Sequence, residues 1–170
     1  EGVPCDVQYT SAATHDHFLL CPSKLNRDDI IALDRAYINY DKFEEMTHRG
    51  IVYVTKMKKN LVFEVLDDVI YQNRCGKMAV RVQHIVFTKK TKEVIIKHHA
   101  RIITYPDIQK KKLISLLTND FEMPQEDIIE IYRRRWIIES LFKQLKQNFP
   151  LRYFYGESAN AIKIQVWCTL

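Results

Sequence analysis

Residues 29–57 constrain this chain more than any other stretch, because they read strand, helix, strand in immediate succession. The short apolar run within residues 29–37 (D-I-I-A-L-D-R-A-Y) fits a strand buried on both faces. Residues 39–49 fit a helix, Gly50 its stop, and residues 51–57 (I-V-Y-V-T-K-M) a second strand. Two strands joined through a helix run parallel, with a right-handed crossover. Open sheets of this kind bind ligands beyond the carboxyl ends of their strands. Asp34 ends the first run, taken as a central strand, and is therefore the first candidate for a site; the plainer reading is a capping or turn residue ahead of the helix.

Downstream the pattern changes. Residues 61–66, 77–87 and 93–105 are β-branched segments set apart by polar turns at 73–76 and 89–92, which predicts an antiparallel β insertion spanning about 61–112. Residues 113–118 return to a strand. Pro124 then opens a long helix whose first turn is acidic (Glu126, Asp127) and which runs on through residues 132–146. After Pro150 and a turn at Gly156, Ser158 is placed to cap a last helix. Upstream, residues 5–10 alternate as a strand and 11–16 read as a loop. The expectation is one α/β domain over 1–170, a mixed sheet flanked by helices with its core in 1–60 and 113–170; a 46% hydrophobic content supports a real core at this length.

Charge and cysteines narrow the class. The chain has 26 Lys and Arg against 21 Asp and Glu, a net charge of +5, which suits a polyanionic partner without requiring one. Cys5, Cys21, Cys75 and Cys168 are scattered, so neither a zinc ribbon nor a disulfide framework is indicated, and free thiols in a reducing cytoplasm are expected. No apolar run approaches the roughly 20 residues of a membrane span, and no signal peptide order is present, so no membrane partner is expected. The chain opens on Glu1 and stops within an apolar pattern (Ile162, Ile164, Val166, Trp167, Leu170), as a piece of something longer would.

Residues 132–146 read Y-R-R-R-W-I-I-E-S-L-F-K-Q-L-K. On one continuous helix Tyr132, Arg135, Glu139 and Lys146 fall within about 60° of one another. Ile138, Leu141, Phe142, Leu145 and Phe149 occupy an adjoining arc, which predicts that the polar row borders a buried face, with Trp136 in the core. The bland alternative for Glu139 is an ion pair with Arg135 or Lys143 on a solvated helix. Two carboxylates converging from a strand end and a helix are a standard way to hold Mg²⁺ through oxygen, and paired metals promote phosphodiester cleavage. The chemistry indicated is phosphoryl transfer on nucleic acid. Lys56, Lys58 and Lys59, with Asn60, follow the second strand and suit a DNA backbone as well as they suit a solvated turn. His15 and His17 bracket Asp16 without a third ligand, and His98 and His99 alternate across a strand, so both cannot face one site.

D-R-A-Y at 34–37, V-T-K-M-K-K-N at 54–60, L-L-T-N-D-F at 116–121 and Y-x2-R-x3-E-x6-K at 132–146 together resemble the catalytic domain of DDE transposases from bacterial insertion sequences. The order of the blocks matches, and the resemblance extends to H-D at 15–16 and G-E-S-A-N-A-I-K-I-Q-V-W at 156–167. It implies a ribonuclease H-like fold with a β insertion between the second acidic residue and the Glu helix. It implies two Mg²⁺ or Mn²⁺ ions held by two Asp and one Glu, with Asp34 as the second Asp and Glu139 as the Glu. It further implies Tyr132, Arg135 and Lys146 as contacts to phosphates of double-stranded DNA, at transposon ends and target, and a homodimer in the bacterial cytoplasm; Arg35, Lys56, Lys58 and Lys59 are expected to join them on the DNA backbone. Ala36 stands where the family usually has Gly. The first Asp has no match: upstream of Lys24 the only acidic residues are Glu1, Asp6 and Asp16, none at the expected strand position. The chain by itself is therefore expected to be inactive, and the alternative is a non-catalytic DNA-binding remnant or inhibitor.

Overall fold

The computed structural model describes residues 20–72, 79–90, 95–107, 111–148, 155–156 and 158–169. The strand expected at 5–10 and the loop at 11–16 lie outside these residues. Contacts divide the chain into two compact units, Ser11–Arg133 and a second that includes Arg134–Leu170.

The first unit is built on a mixed six-stranded sheet in the order β1-β2-β6-β5-β4-β3. β1 (Ile30–Leu33) and β2 (Val52–Lys56) are parallel, joined through α1 (Tyr40–His48). Local signals explain this: the Asn39 side chain accepts from Asp41 and Lys42 N–H at the helix start, and Gly50 ends it at φ +70°, a region in which any side chain would be strained. β1 is shorter than the expected 29–37 strand. Asp34 turns the chain into a 3₁₀ turn, Arg35–Tyr37, by capping the Ala36 N–H. Among the described residues β1 closes one end of the sheet and is not a central strand.

β3 (Glu64–Gln72), β4 (Ala79–Lys90), β5 (Ile95–Asp107) and β6 (Lys112–Thr118) run antiparallel, each to the next. The strands expected as an insertion thus belong to the same sheet as β1 and β2, through the β5–β6 and β2–β6 ladders. Strand alternation gives this sheet two apolar faces. Leu33, Tyr53, Ile85, Ala100, Ile102 and Leu117 meet Phe43 and Met46 of α1. Val54, Val82, Ile103, Tyr105 and Leu116 meet Ile128, Ile129 and Tyr132 of α2 (Gln125–Arg134). The result is a mixed sheet flanked by helices, an α/β fold of the ribonuclease H-like kind.

The long helix expected from Pro124 onward is instead two helices. α2 ends at Arg134 and α3 (Trp136–Asn148) begins after a turn at Arg135. The apolar stripe explains the break. Ile128, Ile129 and Tyr132 share one side of α2, while Ile137, Ile138, Leu141 and Phe142 would point about 200° away on a continuous helix, so no single surface can bury both. In the second unit, α4 (Ala159–Thr169) follows the expected cap, with Ala161 N–H donating to Ser158 Oγ at 3.2 Å. Among the described residues no helix is long and apolar enough to cross a membrane.

Candidate functional site

The β1–β2 register sets Leu33 beside Thr55, so Asp34 and Lys56 are the next pair at the carboxyl ends of the two parallel strands. Leu33 and Tyr53 face α1, and alternation assigns Asp34 and Lys56 to the other face, the one on which Val54 meets α2. Asp34 is half-buried, and its Oδ1 accepts the Ala36 N–H at 3.1 Å. The capping role that the sequence left open is therefore real, and it fixes the carboxylate at the strand end. Arg35 and Lys59 are exposed, and Lys56 and Lys58 half-buried, so these candidates gather where the parallel pair ends.

Tyr132 lies deeper than a phosphate contact requires. Its ring belongs to the core against the sheet, with 6% of its surface exposed. Beside it, the Arg133 guanidinium lies 6.0 Å from the centre of the Tyr105 ring, whose phenol burial pushes above its ordinary pKa.

Glu139 sits on α3 in the second unit, exposed, with Arg135 Nη2 at 2.7 Å from its Oε1. Arg135 also lies over the Trp136 ring at 5.6 Å. Trp136 is 49% exposed, Ile138 50% and Phe142 51%, with Leu141 half-buried, so among the described residues the buried flank expected beside the Glu139 row is not there; the Leu145 side chain and Phe149 lie outside them. The Lys146 side chain lies outside the described ones. Asp34 and Glu139 belong to different units. Carboxylate oxygens have the donor chemistry of a divalent-cation site. Among the described residues no three His, Cys, Asp or Glu side chains gather to hold an ion.

Three further residues organise the region, of which the sequence marked only His98, as one of a pair that cannot share a site, and Asn119, within the block at 116–121, with no role for either. Asn119, directly after β6, uses its side chain as a piece of strand: Oδ1 accepts the Tyr53 N–H at 2.9 Å, and Nδ2 donates to Ile51 O and Thr47 Oγ1, both at 2.9 Å. Arg101 is 5% exposed and donates to Phe121 O at 3.1 Å and Met123 O at 2.6 Å, tying β5 to the loop that leads into α2. Burial pulls its pKa below the usual arginine value. His98 is buried, with Nε2 at 2.7 Å from Tyr53 Oη and Nδ1 at 2.5 Å from Glu44 Oε2, while His99 is exposed, as alternation requires. Burial raises the Tyr53 phenol well above its ordinary range and lowers the His98 imidazole, with Glu44 opposing the latter. A polar residue just past a strand end was the available signal for Asn119; nothing local marks Arg101.

The family model described as "Transposase DDE domain" matches residues 1–170. The chain is 25% identical to a protein of Geobacillus stearothermophilus named "Probable transposase for insertion sequence element IS5377", over 98% of this chain and 43% of that one. It is 28% identical to "Putative transposase y4zB" of Sinorhizobium fredii, over 81% of this chain and 38% of the relative. It is 27% identical to "Putative transposase for insertion sequence element IS4SA" of Synechocystis, over 81% and 37%. The chain thus spans less than half the length of each of these relatives.

Proposed function

The chain belongs to the transposase DDE-domain family, and from that premise we propose that it forms part of the catalytic domain of a DNA transposase that cuts transposon ends and transfers the freed strand to target DNA. The observation that carries this reading is the family match across residues 1–170. Asp34 and Glu139 would hold Mg²⁺ or Mn²⁺, since carboxylate oxygens are the ligands such hard cations take. Bound there, a pair of ions would supply activation of the attacking oxygen and charge relief on the leaving one.

The remaining work falls to side chains of this chain. Arg35, Lys56, Lys58 and Lys59 would track the DNA backbone beside Asp34, and Arg135, in the turn before α3, and Lys146 would do so in the second unit; such contacts set position and register while bases set sequence. Arg135 holds one Glu139 oxygen at 2.7 Å, which limits the rotamers open to that carboxylate. Tyr132, seated in the core, would reach a phosphate only through its phenol tip. Two carboxylates fall short of the three that the resemblance implies, so the 170-residue chain on its own binds duplex DNA without nicking it.

One observation favours a second reading, a non-catalytic DNA-binding remnant: Glu139 is already engaged by a cation four residues before it, as in an i, i+4 ion pair. Purified chain mixed with a transposon-end duplex tests both. Expected is salt-sensitive binding, weakened when Lys56, Lys58 and Lys59 are changed to Ala, with no nicking in Mg²⁺ or Mn²⁺. In a full-length parent, Asp34→Asn and Glu139→Gln should each abolish cleavage while sparing binding; a fully active Glu139→Gln parent would sink the catalytic assignment. Metal-dependent nicking by the 170-residue chain, lost in Glu139→Gln, would overturn its inactivity.

A further inference from the structure

The outer edge of the sheet has two unlike halves. Among the described residues β3 (Glu64–Gln72) pairs on one side alone, with β4, and all nine of its residues are exposed. A strand edge offers backbone N–H and C=O groups to any extended chain, and folded proteins blunt such edges with bulges, charges or prolines. The first half of β3 is blunted in this way. Its register slips between Val65 and Asp67, and Glu64, Asp67 and Asp68 bring three carboxylates.

The second half carries no such device. Val69, Ile70, Tyr71 and Gln72 include no charge and no proline, and Ile70 is 68% exposed, Tyr71 44%. At the junction Asp68 is occupied: Arg81 Nε lies 2.9 Å from its Oδ1 and Gln83 Nε2 lies 3.1 Å from its Oδ2. The repulsion that would otherwise guard this end of the edge is thereby reduced.

We propose that residues 68–72 are a self-docking edge, on which β3 of a second copy of this chain pairs antiparallel about a two-fold axis at Ile70. Self-complementarity is the argument for a second copy over any other strand. With the axis at Ile70, Val69 faces Tyr71 of the partner subunit, a β-branched against an aromatic side chain, and Asp68 faces Gln72 of the partner subunit, a hydrogen-bonding pair. An axis at Asp68 would set two carboxylates against each other, and one at Val69 would set Asp68 against Ile70 of the partner subunit. The Ile70 register also pairs side chains of the same sheet face, so the six strands of one copy continue into those of the other. Such an interface is isologous, as closed dimers require.

Five residues a side bury far less than the roughly 1,600 Å² of a standard interface. The association is therefore weak in free solution and strengthens when one DNA molecule holds two copies. DNA is left out of the test, so its outcome is independent of the transposase reading. Sedimentation of the full chain from micromolar to near-millimolar concentration should show a mass rising above 20.2 kDa toward twice that value, and Ile70→Lys should hold it at the monomer. With the cysteines replaced by serine, Ile70→Cys should join to itself through a short thiol cross-linker, and Glu64→Cys, on the blunted half, should not. A chain that stays monomeric throughout, an Ile70→Lys variant that associates like the parent, or equal cross-linking at both positions would overturn the proposal. Ile70 is exposed, so matching thermal unfolding curves for parent and Ile70→Lys separate lost association from lost folding.

Discussion

α2 and α3 are adjacent in sequence, similar in length and comparably rich in isoleucine and aromatic residues, yet they meet solvent differently. α2 buries Ile128, Ile129 and Tyr132 against the sheet, whereas α3 leaves Trp136, Ile137, Ile138 and Phe142 about half exposed. Apolar content does not decide burial here. What decides it is the phase of the apolar stripe relative to the surface already built. The α2 stripe is in register with Val54, Ile103 and Leu116 on the sheet, and the stripe beyond Arg135 would fall on nearly the opposite side of a continuous helix. The first helix therefore packs on the sheet, and the second exposes Glu139 to solvent, with its ion-pair partner Arg135, in the turn before α3, only 13% exposed.

The largest effect should come from truncating one isoleucine on each side of the break. Ile128→Ala is expected to cost about 2–5 kcal/mol, because a fully buried side chain leaves a cavity. Ile138→Ala, at a half-exposed position, should stay within about 0.5 kcal/mol. Urea unfolding followed by circular dichroism measures both, and equal losses would show that the two faces are equally packed. Next in size is the matching pair of arginines. Arg101→Met leaves the part-buried Phe121 and Met123 carbonyls without their donor and should cost about 1–3 kcal/mol. Arg135→Met removes an i, i+4 ion pair with an exposed carboxylate, worth about 0.5 kcal/mol, together with the packing of a side chain that is itself 13% exposed, so its total cost should stay below that of Arg101→Met. A larger loss at Arg135 than at Arg101 would show that the turn before α3 is packed more tightly than the β5 anchor.

The same contrast separates what the sequence disclosed from what it did not. The β1–α1–β2 unit was legible because its signals are local: Asn39 caps, Gly50 stops, and each apolar run is contiguous. Asp34 was legible as the end of a strand, but its cap on Ala36, which shortens that strand, is a competition between side chain and ladder that pattern alone leaves undecided. The turn at Arg135 was missed because R-R-R-W-I-I-E holds no glycine or proline, and the phase change shows only once the surface under α2 is known. Asn119 and His98 were beyond reach for a different reason. Asn119 meets Tyr53 across 66 positions of sequence, and His98 meets Glu44 across 54, so their roles are tertiary facts.

The smallest effect is a pH dependence confined to one unit. His98 sits among Glu44 of α1, Tyr53 of β2 and its neighbour His99, with Tyr40 acting in turn on Tyr53. The geometry fits a neutral imidazole whose Nδ1–H donates to Glu44 while Nε2 accepts from the Tyr53 hydroxyl. Burial lowers the His98 pKa and the Glu44 bond only partly opposes it. Below about 6.5, the ordinary histidine value, the unfolded chain therefore takes up a proton that folded His98 resists. Stability from this source is complete above that pH and declines as the pH falls toward the lowered folded value. All six histidines lie at or before His99, so none is in the helical unit. Between about pH 7 and pH 5 the sheet unit should lose stability while the α3–α4 signal holds, and His98→Gln should flatten the slope. An unchanged slope in His98→Gln would assign the titration to another histidine and leave the Glu44–His98–Tyr53 chain as a packing feature only.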